Sequence, residues 1–101
     1  MLHEKIFILE TRRTVKLIVS RERTQDHSDT KTKIEVLIRE ANEQDFRLPI
    51  GISHPQYWKL KRLDSEQAAM LQLSYSGITE RQIRSAIKEM DSLAERIPVM
   101  A

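Results

Sequence analysis

A chain of 101 residues with 40% hydrophobic and 32% charged positions, two glycines and three prolines has the balance of one small folded domain, which excludes a disordered or collagen-like chain. Without cysteine it has no disulfide, thiolate metal site or thiol nucleophile. The formal charge of +2 is unevenly spread: residues 1–63 carry thirteen basic and nine acidic groups and residues 64–101 carry four and six, so a polyanion would meet the first part.

KIFILET and TVKLIVSR, residues 5–11 and 14–21, are rich in Ile, Val, Phe and Leu and read as two antiparallel strands joined at Arg12-Arg13. Alternation puts Val15, Leu17 and Val19 on the core face of the second strand, whereas in the first Ile6 and Ile8 compete with Phe7 and Leu9 for that role. Residues 21–29 are polar and fit a loop. A helix is expected next, capped by Ser28 or Asp29, with Ile34, Leu37, Ile38 and Ala41 at helical spacing and Val36 off the stripe. FRLPIGISHP, residues 46–55, reads as a turn-rich connection or a short edge strand, and Tyr57–Leu63 is expected as a third strand whose free edge is open to a second copy of the chain.

Asp64 and Gln67 mark the start of a helix over residues 65–75 that uses Ala68, Leu71 and Tyr75, and Gly77 closes it. Thr79 with Gln82 forms a capping box for the last helix. Behind it Ile83, Ala86, Ile87, Met90, Leu93, Ala94 and Ile97 recur as one apolar stripe that stops before Pro98. The expected fold class is therefore α+β: a small two-layer domain over residues 1–101, with a three-stranded, mainly antiparallel sheet covered by helices in the order β-β-α-β-α-α.

HPQYWKLKRLD, residues 54–64, holds the only tryptophan and three basic residues. As a strand it would place Trp58, Leu60 and Arg62 on one face and Tyr57, Lys59, Lys61 and Leu63 on the other. The plain consequence is a strand anchored by Trp58 and Leu60 with wet lysines. The functional one is a basic-aromatic surface in which Lys59, Lys61 and Arg62 meet phosphates beside Tyr57, extended by Arg12 and Arg13 from the hairpin tip.

The helix over 65–75, the turn at Gly77 and the helix after Thr79 resemble a helix-turn-helix unit over about 27 residues, as a stretch of chain. The resemblance implies that Thr79, Glu80, Arg81, Arg84 and Lys88 would face a DNA groove. Leu73 stands where such units carry a small residue, and residues 64–101 are net acidic, so an ordinary capped helical hairpin is the alternative.

His3, His27 and His54 lie far apart and give no metal-ligand spacing, Glu40/Glu43 and Asp91/Glu95 are the acidic pairs of solvated helix faces, and the two glycines form no phosphate loop. Neither an enzyme nor a cofactor is expected. No segment approaches the roughly 20 apolar residues of a bilayer span, and the expected setting is cytoplasmic without a membrane partner. The function expected is a small regulatory or accessory module that binds another protein or itself, with Ile83, Ile87, Met90, Leu93 and Ile97 divided between the internal core and the seam of a homodimer and core alone the first assignment for any one of them. Nucleic-acid binding through the basic-aromatic stretch or the helical hairpin is the alternative.

Overall fold

The computed structural model describes residues 2–23 and 30–96. Three strands come first, β1 (Leu2–Ile8), β2 (Thr14–Arg23) and β3 (Thr30–Arg39), followed by three helices, α1 (Tyr57–Lys61), α2 (Ser65–Ser76) and α3 (Glu80–Arg96). The domain is α+β, but its order is β-β-β-α-α-α rather than the expected β-β-α-β-α-α, and two segments account for the difference.

Residues 30–39 form a strand instead of a helix. Thr32, Ile34, Val36 and Ile38 alternate with Lys31, Lys33, Glu35, Leu37 and Arg39, and a period of two accommodates Val36, which helical spacing leaves stranded. Three β-branched aliphatics at alternate positions then pack on a pleated surface better than they would round a helix. The expected caps, Ser28 and Asp29, lie outside the described residues.

Residues 57–61 form a short helix instead of a strand. Its bonds are local: the Leu60 amide donates to the Gln56 carbonyl at 2.9 Å and the Leu63 amide to Leu60 at 3.1 Å. Alternation over so few residues also fits one helical turn, with Leu60 and Leu63 half-buried and Trp58 71% exposed. Trp58 is thus a surface residue, not the sheet anchor, and Tyr57, Lys59 and Lys61 do not line a sheet face.

The sheet is a meander in the order β1-β2-β3, antiparallel throughout. In the first hairpin the Arg12 amide donates to the Leu9 carbonyl and the Leu9 amide to the Arg13 carbonyl, both at 2.9 Å, with Arg12 at φ 68°. This is a three-residue turn whose last residue takes the left-handed conformation usually given to glycine. The turn settles the β1 register, turning Phe7 and Leu9 to the core and leaving Ile6 and Ile8 in solvent.

The core fills the space between one sheet face and the long helices. Val15, Leu17, Val19, Val36 and Ile38 meet Ala86 and Met90, ringed by Phe7, Leu9, Ile34, Leu73, Ile78, Ile83 and Ile87. Burying each large aliphatic of this set contributes roughly 1.5–3 kcal/mol. Asp64 caps α2 by accepting the Gln67 amide at 2.8 Å, Gly77 ends it at φ 86°, and Thr79 and Gln82 exchange cap bonds at the start of α3. Apolar residues on α2 are scattered, and the residues it buries most deeply are polar: Gln72 and Ser76.

Polar contacts lock the layers. The Gln72 amide accepts from the Ile50 amide at 2.7 Å and donates to the Ile50 carbonyl at 3.1 Å, which pins the loop between β3 and α1 to α2. Arg13 binds Glu40 at 2.5 Å and donates to the carbonyls of Tyr75 and Ser76 at 2.9 and 3.1 Å, closing the C-terminus of α2.

Candidate interaction surface

Because the helices lie on the face that carries Val15, Leu17 and Val19, the alternate residues of every strand point to the other side of the sheet. There β1 places Leu2, Ile6 and Ile8, which are 64%, 55% and 78% exposed. β2 adds Thr14, Lys16, Ile18 and Ser20, and β3 adds Lys33, Glu35, Leu37 and Arg39. From the loop after β3, Phe46 reaches this face and lies between two cations, 4.4 Å from Lys16 Nζ and 4.8 Å from the Arg39 guanidinium carbon, measured from its ring centroid. Around the β3 edge the face continues into a groove of about 360 Å³ lined by Ile18, Ile34, Glu35, Val36, Leu37, Leu48, Ala69 and Gln72. The apolar row is interrupted by charges of both signs, Glu4, Glu35, Lys16, Lys33 and Arg39.

A second depression, of about 690 Å³, lies between the first hairpin and the start of α3 and is lined by Ile8, Leu9, Glu10, Thr11, Arg13, Glu40, Gly77, Thr79 and Gln82. Four of its polar groups already serve the fold: Arg13 is engaged by Glu40 and two carbonyls, and Thr79 and Gln82 cap α3.

At the opposite end of the sheet α3 is clamped by charge. Glu89 pairs with Lys5 and lies 3.5 Å from His3 Nε2, while Asp91 pairs with Arg21 at 2.8 Å. The Lys5 ammonium bonded to Glu89 holds its carboxyl below the ordinary glutamate range, and Arg47 does the same for Glu43.

The residues singled out from sequence are dispersed. Arg12 is exposed at the hairpin tip and Arg13 is half-buried in its structural contacts. Tyr57 on α1 stands edge-on to Trp58 with Lys61 Nζ 5.7 Å from its ring, and Lys59, Lys61 and Arg62 are exposed. Among the described residues no hydrogen bond or ion pair joins α1 to Arg12 or Arg13. On α3, Met90 is buried, Ile83 and Ile87 pack against the core, and Leu93 is partly exposed, while Ile97 lies outside the described residues. Glu80 and Arg84 pair at 2.6 Å on the outer side of that helix.

Sequence reasoning overlooked the open face because it gave residues 30–39 to a helix, which removes Leu37 and Arg39 from the sheet. The signal that could have found it was the strict alternation in TKTKIEV. Among the described residues no three His, Asp or Glu side chains gather as metal ligands, and no helix is long and apolar enough to cross a membrane. Comparison with known protein families, curated proteins and solved structures finds no match for this chain.

Proposed function

We propose that the chain is a non-catalytic, cytoplasmic interaction module that engages another protein through the uncovered face of its sheet. One observation carries this reading: α3 packs on one side of the sheet and α2 flanks its β3 edge with Leu73 turned to the same core, while the other side presents Leu2, Ile6, Ile8, Ile18 and Leu37 in neighbouring strands. Covering apolar side chains favours association, and Lys16, Arg39, Glu4 and Glu35 around the apolar row supply the charges that set orientation. The absence of cysteine fits a reducing compartment.

Affinity capture from the native cell tests this with Ile18→Asp and Leu37→Asp on the open face and Arg84→Asp on the outer side of α3, each checked for folding by circular dichroism. The native chain and the Arg84 variant should retain one protein partner, and the two face variants should lose it. Recovery of the same partner by all four would refute the reading. So would capture of nucleic acid whose binding falls steeply with salt.

A further inference from the structure

The two edges of the sheet are finished differently. On β3, Ile38 exchanges two backbone hydrogen bonds with Arg47, at 2.7 and 2.8 Å, and α2 packs alongside with Lys31 bound to Glu66 at 3.0 Å. On β1, no strand or bridge among the described residues pairs with the outer edge. Since the Leu9 amide bonds to Arg13, just before β2, residues 5, 7 and 9 turn their backbone groups inward, and Leu2, Glu4, Ile6 and Ile8 turn theirs outward. Those four are also the exposed positions of the strand, and only one of them is charged. Native edges are ordinarily blunted by proline, inward charges or bulges along the strand. The seven residues of β1 have none of these at their outward positions except Glu4.

We propose that β1 is the seam of a two-fold homodimer in which two three-stranded sheets join edge to edge into one continuous antiparallel sheet, with Ile6 facing Ile6 of the second copy. The strand is compatible with a second copy of itself in one register, which avoidance of like charges selects. A two-fold axis through an antiparallel pair requires outward residues to meet outward residues, which leaves pairings centred on Glu4, Lys5, Ile6 or Phe7. The first sets Glu4 against Glu4 and the second Lys5 against Lys5. The fourth pairs only Ile6, Phe7 and Ile8 within the strand, and its next outward pair sets Glu4 against Glu10 of the turn. Only the Ile6-centred pairing brings no like charges together: Glu4 meets Ile8, Lys5 meets Phe7 and His3 meets Leu9.

That register also extends a contact already present, because Lys5 Nζ lies 5.6 Å from the Phe7 ring centroid of its own chain and gains the Phe7 ring of the second. Pairing of Glu4, Ile6 and Ile8 supplies roughly six backbone hydrogen bonds. The two Ile6 Cα atoms come to roughly 5.5 Å, and the apolar rows of the two open faces merge. The seam is made by the backbone edge of β1 whereas the partner surface is centred on Ile18 and Leu37, with Ile6 and Ile8 shared by both, so Ile18→Asp distinguishes failure of one proposal from failure of the other.

The test uses the full chain in a concentration series, with sedimentation for mass and amide exchange by nuclear magnetic resonance for location. A dimer should form, and the amides of Glu4, Ile6 and Ile8 should gain protection with concentration while those of Lys5 and Phe7, already bonded to β2, do not change. Ile6→Lys and Ile6→Glu should each weaken dimerisation by at least about tenfold, and an equimolar mixture of the two should restore it. Ile18→Asp, in the middle of the open face, should leave the dimer intact. A chain monomeric at every concentration overturns the proposal, as does a dimer that leaves the three outward amides unprotected. Failure of the mixed variants to reassociate overturns the register.

Discussion

Replacing Gln72 by methionine keeps the side-chain volume and removes both bonds to Ile50. Gln72 is 7% exposed and Ile50 is 1% exposed, so the freed amide and carbonyl are left in a poorly solvated place. An unsatisfied buried donor or acceptor costs roughly 1–3 kcal/mol, which sets a range of about 2–6 kcal/mol for the pair. Gln72 also borders the 360 Å³ groove, so water can reach one of the two groups, and the expected loss is about 2–4 kcal/mol. For a domain of this size that lowers Tm by roughly 10–25 °C. Urea unfolding followed by backbone circular dichroism is the assay, because Trp58 is already solvent-exposed in the folded chain and reports unfolding poorly. Gln72→Glu adds a signed check. Its carboxylate still accepts the Ile50 amide but faces the carbonyl without a donor, which raises its folded pKa, so this variant should recover stability on acidification and lose it again as the pH rises. A methionine variant within about 0.5 kcal/mol of the native chain would show that the amide pairing does not hold the loop.

Arg12→Gly should raise stability by about 0.5–1 kcal/mol in thermal unfolding, because φ 68° strains any residue with a Cβ. Arg13→Met should cost about 1.5–3 kcal/mol in urea, and Arg13→Lys should recover only part of it, since one ammonium cannot reproduce the guanidinium fork that serves Glu40, Tyr75 and Ser76. Acid should loosen the α3 clamp. The folded-state values of Glu89 and Glu43 are depressed, so their contribution is present above the unfolded glutamate value of about 4.3 and is lost as the pH falls through the lower folded values. Tm should hold from neutrality down to that region and then decline, and the decline should be shallower in Glu89→Gln.

The parts of the fold visible in sequence were those with local chemical marks. Gly77 and the Thr79/Gln82 box announced the α2–α3 turn, and Val15, Leu17 and Val19 announced the core face of β2. Residues 30–39 were harder because Ile34, Leu37, Ile38 and Ala41 satisfy helical spacing by chance, and only Val36 dissented. Over 57–63 the run is too short for either period to decide, and the local bonds to Gln56 and Lys59 won. The open sheet face follows from which side the helices choose, and the contacts of Arg13 with Tyr75 and of Gln72 with Ile50 join residues 62 and 22 positions apart, respectively. Nothing near those residues in the chain points to their partners.

The meander followed by helices sets an order of events during synthesis. All three strands leave the ribosome before residue 65 begins the first helix that can shelter them, so the nascent chain presents Val15, Leu17, Val19, Val36 and Ile38 unshielded for as long as the intervening stretch takes to emerge. An early sheet bare on both sides is the species in which this chain is most exposed to aggregation, and the arrival of α3, with Ala86 and Met90, ends that interval.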